Sequence, residues 1–178
     1  PATFRLRHPE VIPLPLPWRG ALSWGSDEIR LENAAGDVVH ALTYADSGDW
    51  AVRRLGPPDR LNRRGWEWFA EHDGLGRSLE RINPSLPPGL GQNWTSSAAE
   101  GGTPGAANSA LRTNIAPLIT AVSHSPALPG PADPVVVTAR LVDEAGPAQL
   151  AGTLYWRPDG EAAFRELPFR DDRSEERR

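Results

Sequence analysis

Four histidines, several pairs of adjacent carboxylates and seven tryptophans are the residues of this chain that could do chemistry. The histidines, His8, His40, His72 and His124, are far apart, and none stands in a His-Glu-x-x-His or comparable metal-ligand spacing. His72-Asp73 has the residue types of a catalytic pair, but it lies in a polar stretch ending at Gly74, so a solvated loop is the expected state. Asp27-Glu28, Asp143-Glu144 and Asp171-Asp172 offer adjacent oxygens of the kind that bind Ca²⁺. A Ca²⁺ site needs several more oxygens around a turn, and no EF-hand pattern is present. Solvated acids are therefore expected, with Ca²⁺ the one candidate cofactor. The chain has no Cys and no Lys, which excludes thiolate metal sites, cysteine nucleophiles, P-loop lysines and Schiff bases. It also has no Gly-x-Ser-x-Gly elbow.

Trp66 and Trp68 are the candidate ligand-contact residues. At positions i and i+2 they share one face if Gly65–Phe69 is a strand, and a flat aromatic pair can stack on sugar rings. The default for such large apolar side chains is the core. The same default makes Trp94 a core anchor for the small-residue run from Thr95 to Asn108, and puts one of Tyr155 and Trp156 inside. All 19 basic residues are Arg, a side chain suited to packing on aromatic faces.

Short strands joined by many turns must position these residues. Pro and Gly supply 36 of 178 residues, too many for a helix-rich chain. Glu28–Glu32 alternates polar and apolar, Asn33–Asp37 is a turn, and Val38–Tyr44 is a second strand with Val38, Leu42 and Tyr44 on one face: a β-hairpin. Gly56-Pro57-Pro58 is expected to turn the chain. Gly76–Ile82, Val135–Val142, Leu154–Arg157 and Phe164–Phe169 are further strands. Residues 1–20 form a Pro-rich irregular segment, with Ile12–Pro17 extended, and residues 173–178 are a charged tail. The net charge of −4 carries no domain-scale basic patch, so nucleic acid is not an expected partner. No apolar run is long enough to span a membrane. The chain begins at Pro1 and lacks Met, so it is expected to be a piece of a larger protein.

Residues 25–108 resemble the bacterial lamin-tail domain. The resemblance is carried by Gly25-Ser26-Asp27-Glu28-Ile29-Arg30-Leu31, Gly36-Asp37-Val38-Val39, Thr43-Tyr44, Gly76-Arg77-Ser78-Leu79-Glu80-Arg81, Asn93-Trp94 and Gly102-Thr103-Pro104-Gly105-Ala106-Ala107-Asn108, in that order. Residues 117–172 more loosely resemble an immunoglobulin-like module, through Ile119, Val122, Ser125-Pro126, Val135–Ala139, Asp143, Leu154-Tyr155 and Phe164. The resemblance implies an all-β chain: an incomplete immunoglobulin-like sandwich at 21–110, a linker at 111–117 and part of a second sandwich at 118–172. The leading strands of the first sandwich have no counterpart here, and His40 replaces an Asp common in the family.

The resemblance also implies an extracellular or cell-surface setting. The expected function is a non-catalytic structural or interaction module of a multidomain bacterial protein. Its expected partners are other domains of that protein, a polysaccharide or a surface protein. The alternative is the accessory region of an extracellular enzyme, kinase-like or hydrolytic, with carbohydrate binding as its role.

Overall fold

A computed structural model describes residues 2–12 and 20–171. The extended reading of Pro13–Pro17 and the charged tail at 173–178 lie outside the described residues. The chain divides into two compact units between Ile115 and Ala116, inside the segment 111–117. The all-β expectation holds: the described strands form five two-stranded antiparallel sheets, none joined into a larger sheet or a closed barrel. No described helix is long and apolar enough to cross a membrane. One short helix, α1 (Ala2–Arg7), occupies part of the segment expected to be irregular. Its six residues contain no Pro, and Pro9 follows the last turn, where a ring no longer blocks a helical hydrogen bond.

In the first unit, β1 (Ser26–Glu32) pairs with β2 (Val38–Ala45), β3 (Val52–Pro58) with β4 (Arg64–Phe69), and β5 (Leu79–Arg81) with β6 (Trp94–Ser96). In the second, β7 (Leu118–Ser125) pairs with β8 (Val136–Val142) and β9 (Thr153–Trp156) with β10 (Arg165–Pro168).

The first two hairpins close by the same device. Asn33 Oδ1 accepts the N–H groups of Ala35 and Asp37 at 2.9 and 3.0 Å. Asp59 Oδ1 accepts those of Leu61 and Arg63 at 2.8 and 2.9 Å. In each loop the residue three positions on, Gly36 (φ 89°) or Asn62 (φ 60°), takes the left-handed conformation that Gly and Asn tolerate best. Asp143 repeats the motif after β8, with Ala145 N–H at 2.8 Å and Gly146 at φ 78°. The turn in β3–β4 is therefore Asp59–Arg63. Gly56-Pro57-Pro58, expected to turn, lies at the end of β3, where the register shifts between Leu55 and Pro58. Pro cannot donate to a ladder, so it is tolerated at such a shift.

A register shift between Leu31 and Glu32 also changes the expected face of β2. Leu42 and Tyr44 lie opposite Ile29 and Asp27, whereas Val38 lies opposite Glu32.

The segment Gly76–Ile82 contains only three strand residues, yet hydrogen bonds hold it from both sides. Glu80 is buried, and its charge is met by hydrogen bonds. Thr103 Oγ1 donates to Oε1 at 2.5 Å, while Ser109 Oγ at 2.6 Å and Ala110 N–H at 3.2 Å donate to Oε2. Asn108 Nδ2 donates to Arg81 O at 3.0 Å and Arg112 N–H to Ile82 O at 2.9 Å. On the other side, buried Asn83 and Asn93 bond reciprocally: Asn83 N–H to Asn93 Oδ1 at 2.9 Å, and Asn93 Nδ2 to Asn83 O at 2.8 Å. Residues 79–83 thus run between 93–97 and 108–112. The small-residue run from Thr95 to Asn108 is held by Glu80, which displaces Trp94 from the role expected of it. Trp94 Nε1 instead donates to Pro88 O at 2.7 Å and its ring sits 5.9 Å from that of Trp50. Gly102, at φ 74°, packs its bare Cα against the Ser78 side chain, leaving no room for a Cβ.

Apolar burial is sparse beside this network. Among the described residues the buried hydrophobic side chains are Leu42 and Leu86 in the first unit and Leu118 in the second. Large side chains on β1–β4 and on β7–β10 remain exposed, among them Leu31, Val39, Trp66, Val122 and Val136.

Burial alone would raise the pKa of Glu80, but the hydrogen bonds from Ser109, Thr103 and Ala110 outweigh it and hold the carboxyl below its ordinary value. A folded-state pKa below the unfolded one adds stability that is complete above about pH 4.3 and is lost as pH falls through the lower folded value. Glu80→Ala leaves three donors without their acceptor and should cost roughly 2–4 kcal/mol in urea unfolding. Glu80→Gln should flatten the acid limb of the stability curve below about pH 4.3.

Candidate functional site

The β3–β4 ladder sets the faces of the tryptophan hairpin. Arg53 pairs with Trp68 and Leu55 with Trp66, so these four side chains share one face, while Val52, Arg54, Glu67 and Phe69 share the other. The expectation that Trp66 and Trp68 lie side by side on one strand face therefore agrees with the geometry. The core default does not: Trp66 is 61% exposed and Trp68 51%. No second layer of described residues buries this face, so indole area that a sandwich would hide stays open. Arg53 lays its guanidinium over Trp66, 4.4 Å from the ring centroid, and Arg54 does the same to Phe69 at 3.5 Å on the opposite face. The sequence marked the tryptophans but not Arg53 or Leu55. The signal was available in the strand period, which places both across from the pair.

A second feature of this unit is a cleft of about 520 Å³ between the Asp27–Tyr44 face of β1–β2 and the segment 72–79. Ile29, Leu42, Leu79 and Trp94 give it apolar walls, and Tyr44, Asp46, His72 and Arg77 bring polar groups to it. Tyr44 Oη donates to Ser23 O at 2.7 Å; burial, and then the charge of Asp27, raise its pKa. Asp27 accepts the N–H groups of Ser23 and Glu28 at 2.9 and 2.8 Å, and these bonds lower its pKa. Arg77 pairs with Glu71 at 3.0 Å and donates to Ser97 O.

His72 is half-buried, not a solvated loop residue. Its Nε2 lies 3.1 Å from Ala45 O, which can only accept, so the proton sits on Nε2. Nδ1 lies 3.4 Å from Ser96 Oγ. The ring ties the end of β2 to β6. Asp73 takes no part: its backbone N–H caps Ala70 O at 3.1 Å, and no carboxylate orients the imidazole as a catalytic pair requires.

The remaining candidates do not converge. Among the described residues no group of three or more His, Asp or Glu is placed to hold a metal ion. Asp27 is used by backbone donors, Glu28 by Arg30 at 2.8 Å, and Asp143 by its own turn; Asp172 lies outside the described residues. In the second unit both Tyr155 and Trp156 are exposed, against the expectation that one is buried. Arg165 covers Trp156 at 5.0 Å, so the general expectation of Arg–aromatic packing is met in both units.

The chain matches no protein-family model, and no match was found among curated proteins or solved structures.

Trp66→Ala and Trp68→Ala should each change the unfolding free energy by less than about 1 kcal/mol, because the side chains are half or more exposed. A core tryptophan would cost about 3–5 kcal/mol, so urea denaturation separates the two positions.

Proposed function

We propose that this chain is a non-catalytic structural and interaction module of a larger secreted or cell-surface bacterial protein, built from incomplete immunoglobulin-like sandwiches, the first of the lamin-tail kind. The observation that carries the reading is the row of apolar strand faces left open on β1–β2, β3–β4 and β7–β8. Two-stranded ribbons are marginal alone, and sheets with one apolar face gain stability when a second layer covers it. Other domains of the same protein are the natural source of that layer. The lamin-tail reading is supported by the way two of its scattered motifs meet: Glu80 of the Gly76–Arg81 motif binds Thr103, and Arg81 binds Asn108. Spacing that looks arbitrary along the chain serves one hydrogen-bond network. No cofactor enters this reading.

A second reading is favoured by one observation, the exposed Trp66–Trp68 pair: the chain is the accessory, carbohydrate-contacting region of an extracellular enzyme.

Expressed alone, the chain should self-associate in size-exclusion chromatography and bind a hydrophobic dye such as anilinonaphthalene sulfonate. A dye-silent monomer with one sharp, cooperative melt would overturn the module reading.

A further inference from the structure

We propose that the Arg53–Leu55–Trp66–Trp68 face of the β3–β4 hairpin binds an acidic polysaccharide, a pyranose polymer bearing carboxylates; this deepens the interaction-module reading and rests on it. The hairpin is an island of positive charge. Between Val52 and Phe69 it holds Arg53, Arg54, Arg60, Arg63 and Arg64 against Asp59 and Glu67, a net +3 in a chain of net −4, which leaves −7 elsewhere. The two indoles lie on one exposed face, with Leu55 directly across from Trp66 and Arg53 directly across from Trp68. A sugar ring presents a flat C–H face that the electron-rich face of an indole attracts. A carboxylate on that ring meets a guanidinium already held over the neighbouring indole, 4.4 Å from its centroid. Arg53 forms no ion pair among the described residues, so its donors are open to a charge-assisted fork.

Charge decides against the other occupants. Single-stranded nucleic acid also stacks on aromatics, but it brings a phosphate with every nucleotide and needs a row of free cations to follow it. Here Arg63 is tied to Asp59 at 3.1 Å and Arg64 donates to Gly56 O at 2.8 Å, which leaves Arg53 as the cation stacked on the tryptophan face. A sparsely charged polymer fits that supply. A second copy of the same hairpin would set +3 against +3.

The test titrates the full chain with oligohyaluronate, which bears a carboxylate on every second sugar, and with its methyl-esterified counterpart of equal length, read by tryptophan fluorescence and calorimetry. Oligohyaluronate should bind, and binding should weaken as salt rises. The ester, Trp68→Ala and Arg53→Gln should each weaken it about tenfold or more. Trp156→Ala, in the other unit, should leave affinity unchanged. Absence of binding, or undiminished binding by both Trp68→Ala and Arg53→Gln with circular dichroism unchanged, would overturn the proposal. Tighter binding of oligothymidylate than of oligohyaluronate would overturn it too, by assigning the face to nucleic acid. A chain that ignores oligohyaluronate but still associates and binds the dye loses this inference alone. A dye-silent cooperative monomer loses the module reading instead.

Discussion

The buried carboxylate of Glu80 is the constraint on which the first unit depends. A charge removed from water is costly unless its oxygens are fully hydrogen-bonded. Glu80 meets that demand with Thr103, Ser109 and Ala110, which sit 23 to 30 residues further along the chain. Satisfying one side chain thereby fixes the path of an entire loop. The asparagine pair on the other flank does the same over shorter range, locking Asn93 to Asn83. With so few hydrophobic side chains buried, it is polar geometry that specifies the arrangement here. Such networks are demanding: complete, they select one structure, and with one member missing they destabilise it.

The hairpins obey a different rule. β1–β2 and β3–β4 are each shaped locally, by an Asn or Asp that gathers two backbone N–H groups and a left-handed residue three positions on. A turn of this kind sets register without help from a core, which is why β1–β2 and β3–β4 form although their apolar faces are open. The open faces connect structure to function. On β1–β2 they frame an apolar cleft with His72 as a strut at its edge. On β3–β4 they carry two tryptophans and an arginine in the most positively charged stretch of an acidic chain.

Much of this was legible in the residues, because the signals were local. Alternation in Glu28–Glu32 and the turn Asn33–Asp37 needed nothing beyond their own neighbours. So did the common face of Trp66 and Trp68. What could not be read was set by distant partners or by the absence of any. Glu80 was visible only as part of a family-like motif, since its three donors come from a run of small residues that reads as featureless loop. Trp66, Trp68 and one of Tyr155 and Trp156 were misjudged as core because size favours burial only where a second layer exists to bury them. Asp59–Arg63 lacks Gly and Pro, so Gly56-Pro57-Pro58 outshone it as a turn signal, although Asp59 and Asn62 held the needed chemistry. His72 looked solvated because its carbonyl partner, Ala45, is 27 positions away.

Native-state amide hydrogen exchange on the full chain tests the central claim, that polar locking around Glu80 and the asparagine pair holds the first unit while the hairpins are only locally supported. The slowest amides of residues 20–115 should be those of Ile82, Asn83, Ser97, Ala110 and Arg112, with the ladders of β1–β2 and β3–β4 exchanging well before them. Slowest exchange in the hairpin ladders, with Ala110 and Arg112 exchanging as fast as open loop, would contradict the account.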